Sequence, residues 1–314
     1  MTGLPRFIAL RLFHLIPVVL GVTFLVFTML KLVPGDPAIA ILGIRATPEA
    51  IANIREALGL DRPFLVQYVS FLGNLLRGNL GESLVAKQPV LQMVLERLPA
   101  TLSLVAMSGV ITAVLTVPPA VLAARNKDRP LDHAIRGTFI FGLAIPSFWL
   151  GIILMLIFSL KLHLFPVSGF GNTWSERLHH LVLPSFTVAL ALSAILIRNL
   201  RAGVLEVLRA DYVRTARAKG LSERAVMLRH VMRNALLSTV TIFGVNLAFL
   251  IGGTVVVETV FSLPGLGAML VTAVYQRDYP VVQGITLVFA ILIILVNLLV
   301  DLTYVALDPR VTFD

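Results

Sequence analysis

Six long intervals without a charged side chain constrain the fold of this chain more than any other feature of its sequence. A helix needs about 20 mostly apolar residues to cross a lipid bilayer, and each of these intervals has at least 19 residues. They are Leu12–Leu30, Leu98–Ala124, Gly137–Leu160, Leu178–Ile197, Asn234–Val257 and Tyr279–Val300. Only 14% of the residues are charged, against roughly 25% in soluble domains. The sequence therefore predicts an all-α polytopic membrane protein with six transmembrane helices.

The intervals divide the chain into one transmembrane domain, residues 1–314, in which spans and loops alternate. The predicted spans are residues 9–31, 99–124, 136–160, 179–198, 236–258 and 279–307. The segments between and after them are residues 32–98, 125–135, 161–178, 199–235, 259–278 and 308–314. Prolines inside the spans predict kinks, which neighbouring helices make tolerable; they are Pro17, Pro118, Pro119, Pro146 and Pro184.

The basic residues predict the orientation of the chain. Sixteen of the 26 Lys and Arg residues lie before span one, between spans two and three, between spans four and five, or after span six. The positive-inside rule makes that side cytoplasmic and places both termini there. The net charge of +9 is thus explained by topology, without a nucleic acid partner. The chain has no cysteine, which excludes disulfides and thiol chemistry.

Two features complicate the count of spans. Thr259–Gln276 is also free of charge, but Leu263–Gly267 should break a helix there. We expect a short re-entrant or interfacial piece, since a seventh span would move the C-terminus to the other side. The first apolar run is longer than the h-region of a signal peptide, so we expect it to be retained as a helix.

The segment at residues 32–98 should form a helical element outside the membrane. Thr47 as N-cap, Pro48 in the first turn and Glu49 at the positive end of the dipole predict a helix that runs to Leu58 and stops at Gly59. Pro63 should start a second helix, whose apolar stripe consists of Phe64, Tyr68, Phe71, Leu72 and Leu75. The element is either a cap over the spans or a docking surface for an external partner.

Residues 199–235, which we call the basic loop, interrupt the apolar pattern most strongly. A helix is expected from Gly203 to Lys219, closed by Gly220 in the left-handed conformation. Ser222 should cap a second helix, with an apolar side made of Val226, Leu228, Val231 and Met232. The loop is either an amphipathic hairpin held by anionic lipid or a docking element for a protein; its length and small tip residues favour docking.

No enzyme signature accompanies these features. The sequence has no G-x-x-x-x-G-K-[ST], H-E-x-x-H or G-x-S-x-G pattern. Its six histidines are scattered, and the adjacent His179 and His180 would point about 100° apart on a helix. We therefore predict no catalytic residue and no metal site in this chain.

One motif in the basic loop carries a resemblance to a known family. Asp211–Leu221, DYVRTARAKGL, resembles the EAA-type loop of ABC importer permeases, in the form found in the dipeptide, oligopeptide, nickel and glutathione importers. Motifs in the same order along nearly the whole chain share the resemblance: Pro34–Pro37, Leu58–Pro63, Leu98–Thr101, Glu258–Phe261, Pro264–Gly267, Arg277–Pro280 and Asp308–Arg310. Arg214 replaces the glutamate of the general EAA pattern, as is usual in this group of importers, and the chain departs from the group's own pattern at Asn79 and Ser238.

The resemblance implies a type I ABC importer permease fold, with a periplasmic helical insertion after helix one and a coupling-helix loop between helices four and five. The implied partners are a second homologous permease subunit, two cytoplasmic ATPase subunits, an external substrate-binding protein and the membrane. ATP and Mg²⁺ would be bound by the ATPases, and no cofactor by this chain. The implied ATPase-coupling residues are Arg214, Thr215, Ala216, Arg217, Ala218, Lys219, Gly220 and Leu221, while Pro34, Gly35, Asp36 and Pro37 would dock the external partner.

A translocation pathway should lie between the two permeases, near the middle of the bacterial inner membrane. Glu258, Asn246 and Asn297 are candidates to line it, because polar groups at such depth face partners or water. Hydrogen bonding between helices is the alternative role. Asp301 and Tyr304 are expected to anchor the end of span six. The cargo could be a short peptide or a similar solute, and a stand-alone secondary transporter or channel is the alternative function.

Overall fold

In the computed structural model, the described residues are Phe13, 16–28, Ile39, Leu42, 47–59 and 61–307, without the side chains at 54, 57, 58, 247–249 and 300–307. This part of the chain is built from helices that turns connect, and it contains no β-strand. The helices are α1 (Ile16–Thr28), α2 (Pro48–Leu58), α3 (Phe64–Leu76), α4 (Val90–Arg125), α5 (Pro130–Ala144), α6 (Ser147–Leu154), α7 (Trp174–Leu208), α8 (Asp211–Ala218), α9 (Glu223–Ala225), α10 (Met232–Val260), α11 (Leu266–Tyr275) and α12 (Tyr279–Leu307). Two π-helical stretches, Met155–Lys161 and Val226–Val231, continue α6 and α9.

Within the described residues, α4, α7 and the Tyr279–Leu299 part of α12 are long and apolar enough to cross a membrane as single helices. Two further spans are possible if each of two bent helix pairs counts as one. The number of spans in the described part is thus three to five. The predicted first span is described only over α1, and the segments on either side of it lie outside the described residues.

The predicted third span, residues 136–160, is not one straight helix. α5 ends at Ala144, and the chain bends by 105° before it continues through α6 into Lys161. Pro146 stands at the bend and has no N–H to donate, while Ile145 before it is extended, with φ −82° and ψ 126°. A residue before proline is pushed out of the helical region, and this explains the break.

The other long helices extend beyond the apolar intervals. α4 begins at Val90, before the second predicted span, and α7 runs from Trp174 to Leu208, past both ends of the fourth. A capping box opens α7, in which Thr173 accepts from the backbone N–H of Glu176 and the Glu176 side chain accepts from the Thr173 N–H. Helix length is therefore set by capping and packing as well as by apolar length.

Contacts within the chain form two compact units. The first includes Ala100–Leu263 and the second includes Pro264–Leu292 together with described residues before Ala100. In the first unit, Gly151 of α6 lies close to α7 and α10, because a Cβ there would be 3.1 Å from the Phe261 ring and 3.5 Å from Thr187. Phe261 is almost completely buried, so this close approach belongs to the core of the unit.

In the second unit, α3 packs on α1. Tyr68 is buried, its hydroxyl donates to the Leu20 carbonyl at 2.9 Å, and it lies 3.0 Å from the Thr23 hydroxyl. Phe27 contacts the rings of Phe64 and Phe71 at centroid distances of 5.3 and 6.1 Å. The predicted stripe on α3 is confirmed as the less exposed side of the helix.

The helix boundaries predicted in the insertion are confirmed. The Thr47 side chain accepts from the Ala50 N–H, Pro48 is the first residue of α2, and Gly59 is left-handed at φ 64°. The break predicted at Leu263–Gly267 also occurs, and α11 after it has 10 residues. A 10-residue helix is too short to cross a bilayer.

Candidate functional site

The basic loop begins as a continuation of a long helix. The predicted helix from Gly203 to Lys219 is wrong, because α7 passes through Gly203 and ends at Leu208. A Cβ at position 203 would be 3.4 Å from the Ala235 carbonyl, so this glycine serves close helix packing and does not start a helix. The chain turns at Arg209 and Ala210, and α8 follows at Asp211.

The turn after α8 has the predicted geometry. Gly220 is left-handed, with φ +80°. Its N–H donates to the Arg217 carbonyl at 2.9 Å, and the Leu221 N–H donates to the Ala216 carbonyl at 3.4 Å, which is the Schellman pattern. Ser222 caps the next helix by accepting from the Ala225 N–H at 3.3 Å. The predictions for Gly220 and Ser222 are confirmed.

One side of α8 is fixed in the core of the first unit. Val213 is fully buried and Ala216 is 5% exposed, in one cluster with Leu200 and Val204 of α7. The resemblance implied that Ala216 is a coupling residue that allows close approach of an ATPase; here its side chain is buried against its own chain, and its role toward an ATPase stays a prediction. Its small size permits α8 to lie close to the core.

The opposite side of α8 and the following turn are open to a partner. The exposed residues are Tyr212, Arg214, Thr215, Arg217, Ala218, Lys219, Gly220 and Leu221, and we call them the coupling surface. Arg214 lies 3.1 Å from Asp211, but both side chains are largely exposed, so the pair contributes little. The coupling surface thus retains all the predicted coupling residues except Ala216.

Arg217 stabilises the turn between α8 and α9 through a contact within this chain. Its guanidinium donates two hydrogen bonds to Glu223, at 2.8 and 3.2 Å. The hydrogen bond to Glu223 raises the pKa of Arg217 further above its usual value, so the guanidinium stays charged. A bidentate arrangement of this kind fixes orientation, and here it ties the end of α8 to the start of α9.

The helix after the turn differs in register from the prediction. Val226, Val231 and Met232 are buried as expected, but Leu228 is 60% exposed and Met227 is 8% exposed. The cause is the π-helical stretch Val226–Val231, which has a wider turn than an α-helix. The apolar side of this segment is therefore shifted by one residue.

One basic side chain at the start of the basic loop, Arg201, forms an ion pair that the sequence does not reveal. Arg201 of α7 donates from Nε to Asp132 Oδ1 at 2.7 Å and from Nη2 to Oδ2 at 2.5 Å. Asp132 is fully buried, and it also accepts from the Asp128 N–H at 3.0 Å. The pair joins the segment before span three to α7, over 69 positions of sequence.

The predicted pathway residues have different surroundings. Glu258 is fully buried, and Thr101 donates to its carboxylate at 2.7 Å. This geometry is that of a hydrogen bond between helices, the alternative role, and the place of Glu258 on the pathway stays a prediction. Asn246 donates to the Ile242 carbonyl of its own helix at 2.8 Å, and Asn297 is half-buried on α12.

Two sets of predicted positions cannot be placed. Pro34, Gly35, Asp36 and Pro37, the predicted external docking residues, lie outside the described residues, as does Asp308–Arg310. The side chains of Asp301 and Tyr304 are also not among those that the structure describes. The roles given to these residues stay predictions.

Two family models match the chain. Residues 116–313 match the binding-protein-dependent transport system inner membrane component, and residues 4–105 match the N-terminal part of such membrane components. The two matches cover most of the length of the chain.

Individual relatives agree with the family models. The chain is 41% identical to the oligopeptide transport system permease protein AppB of Bacillus subtilis, over 95% of this chain and 96% of that protein. It is 42% identical to the glutathione transport system permease protein GsiC of Pectobacterium atrosepticum, over 96% and 97% of the two chains.

A solved structure shares the fold. An inward-facing structure of the MetNI methionine ABC transporter superposes with a TM-score of 0.58 at 16% identity, over 69% of this chain and 97% of that chain. The likeness extends the agreement from sequence to helix arrangement. The chain belongs to the family of inner membrane components of binding-protein-dependent transport systems.

Proposed function

We propose that this chain is one permease subunit of an ATP-driven ABC importer that takes up short peptides. The main support is the placement of α8. Val213 and Ala216 pack one side of this helix on its own chain, and the other side is exposed. The peptide cargo is supported by the names of relatives, among them the Di/tripeptide transport system permease protein DppB of Pseudomonas aeruginosa, which is 39% identical over 97% of this chain.

The working assembly contains this chain, a second similar permease, two cytoplasmic ATPases and an external binding protein. This chain is non-catalytic and binds neither ATP nor Mg²⁺, which the ATPases hold. The sequence supports this division, since it carries no phosphate-binding loop. The assembly lies in the inner membrane, where this chain has six spans and both termini in the cytoplasm.

The coupling surface fits into a groove of one ATPase. When ATP closes the two ATPases, α8 is displaced. Because its inner side packs in one cluster with α7 and the π-helical stretch Val226–Val231, the displacement is passed on to the helices as a rigid-body movement. The pathway between the two permeases then changes from inward-facing to outward-facing.

The test introduces bulk on the coupling surface without disturbing the core. Ala218 is exposed at the end of α8, so Ala218→Trp should prevent docking of the ATPase while the chain still folds. The matched control is Ala202→Trp, at an exposed position of α7 outside the coupling surface. We expect that Ala218→Trp abolishes co-purification of the ATPases and peptide-stimulated ATP hydrolysis, and that Ala202→Trp preserves both.

If Ala218→Trp and Ala202→Trp gave the same co-purification of the ATPases and the same ATP hydrolysis, docking at the coupling surface would be contradicted. The alternative of a stand-alone secondary transporter or channel predicts uptake of peptide by this chain alone in liposomes without ATP. Membership of the family speaks against that alternative. Uptake of labelled peptide that requires all subunits and ATP would be the result expected here.

A further inference from the structure

We infer that Asp132 and Arg201 are positioning residues that make α5 move together with the coupling helix α8. The inference rests on the proposed function, because it concerns how a displacement of α8 reaches a membrane helix that is not next to it in sequence. Three observations on the first unit carry it, together with the physical chemistry of a buried ion pair.

The first observation is the geometry of the pair. The Arg201 guanidinium presents two donors to the two oxygens of Asp132, and the Asp128 N–H donates to one of these oxygens as well. Such a bidentate contact fixes both distance and orientation. Asp132 is fully buried and the Arg201 side chain is 15% exposed, so water competes little for the contact.

The second observation is the position of the pair on the two helices. Asp132, Ile135, Phe139 and Gly142 follow one another at spacings of three and four residues, so they share one side of α5. At the far end, a Cβ on Gly142 would be 3.2 Å from Leu190 of α7. α5 and α7 therefore run antiparallel, with a close approach at one end and the ion pair at the other.

The third observation links the pair to α8. Arg201 follows Leu200 and precedes Val204, and both of these residues are fully buried in the cluster that contains Val213 and Ala216. Ile135 and Phe139 of α5 pack against the same cluster. A continuous path of packed side chains thus joins α8, α7 and α5.

The contact also has a property that apolar packing lacks, namely direction. The apolar cluster holds the helices together, but the hydrophobic effect is non-directional and does not by itself specify one register of α5 on α7. Replacing a buried ion pair by apolar residues is often neutral or stabilising, so stability alone gives little reason for charges here. A directional contact fixes the register of α5 on α7, and this is what transmission of a displacement requires.

The test therefore removes the directional contact but keeps the packing. Asp132→Leu with Arg201→Met replaces the pair by apolar side chains of similar shape in the complete transporter, reconstituted with its ATPases and binding protein. The readout is the ratio of ATP hydrolysis with a peptide digest of casein to hydrolysis without it. We expect normal amounts of assembled complex and a ratio lowered about tenfold, within the range usual for coupling between sites.

A second readout reports the movement itself. Since the chain has no cysteine, Ala134→Cys on α5 and Ala202→Cys on α7, both at exposed positions, accept spin labels when the partner subunits are cysteine-free. With the native pair, the distance between the labels should be the same in nucleotide-free and vanadate-trapped complexes. In the double apolar variant, the distribution of distances between the labels should become broader, or its mean should change with the nucleotide.

The outcomes separate the inference from the proposed function. An unchanged ratio and an unchanged distance in the double apolar variant would overturn the positioning role. If that variant does not assemble, Arg201→Lys decides, because lysine keeps the charge but lacks the planar fork: a lowered ratio supports the inference and a normal ratio overturns it. If the native complex shows no peptide-stimulated hydrolysis, the proposed function itself fails.

Discussion

Gly220 closes the coupling helix with a backbone conformation that other residues adopt only at a cost. Its φ is +80°, and a Cβ added there would meet nothing within 4 Å. Gly220→Ala should therefore lower the free energy of unfolding through the backbone alone, by about 1–2 kcal/mol. Gly220→Asn should cost less, since asparagine tolerates this conformation better. Unfolding of the purified chain in a titration with SDS measures both changes.

The control for Gly220 is Gly73, in the interior of α3. A Cβ there would also meet nothing within 4 Å, but its backbone is helical. Gly73→Ala should therefore stabilise the chain by roughly 0.5–1 kcal/mol. If both alanine substitutions changed stability in the same direction, the left-handed turn would not be the cause of the cost at position 220.

Residues that follow local rules were predictable from the sequence. Thr47, Gly59 and Ser222 cap helices, as does Gly220, because a cap depends only on side chains and backbone within a few positions. The Asp132–Arg201 pair was not predictable, since its members are 69 positions apart. The contact of Thr101 with Glu258 spans 157 positions and was missed for the same reason.

At the scale of elements, Asp278 fixes a turn of the second unit. The Ser83 hydroxyl donates to its carboxylate at 2.5 Å, and the N–H groups of Leu84 and Val85 donate to it at 3.1 and 3.4 Å. Both Ser83 and Asp278 are buried. One carboxylate at the start of α12 thus holds the turn that precedes α4.

We expect Asp278→Ala to release this turn without unfolding the unit. Hydrogen bonds to a charged group contribute about 1.5–3 kcal/mol, so hydrogen exchange at Leu84 and Val85 should accelerate about tenfold or more. Mass spectrometry of the exchanged chain measures this. Asp61→Ala is the control, because Asp61 is exposed, and comparable acceleration in that variant would contradict the anchoring role of Asp278.

Elements were predictable where apolar length and local caps determine them. The sequence indicated the order of the long helices and the break before α11. It did not indicate that α7 continues to Leu208, because the charged side chains beyond Ile197 look like the start of a loop. That extension is stabilised by Leu200 and Val204, whose burial depends on packing with distant segments.

At the scale of the whole molecule, the charge-free intervals predict six spans, and the distribution of basic residues predicts that both termini lie in the cytoplasm. A fluorescent protein fused after Asp314 should therefore fluoresce, and alkaline phosphatase inserted at Lys87, in an exposed turn, should be active. The reason is that the fluorescent protein folds only in the cytoplasm and the phosphatase only outside it. Expression of both fusions in a bacterial host measures the orientation.

The same fusions distinguish six spans from seven. If Thr259–Gln276 crossed the membrane, the fluorescent protein after Asp314 would be dark while the phosphatase at Lys87 stayed active. A phosphatase inserted at Lys127, in the predicted cytoplasmic segment 125–135, is the negative control. Activity at position 127 would overturn the predicted orientation as a whole.

The π-helical stretch Val226–Val231 has a consequence for how such a chain can change over evolutionary time. A wide turn of this kind is equivalent to one extra residue inserted into an α-helix. Loss of a single residue there, such as the exposed Leu228, would restore α-helical geometry and leave the segments on both sides facing as before, because a wide turn takes up one more residue than an α-helical turn for about the same rotation. The stretch can therefore lose one residue over evolutionary time without redirecting the coupling surface, so that the length of the chain can vary here while every contact residue keeps facing its partner.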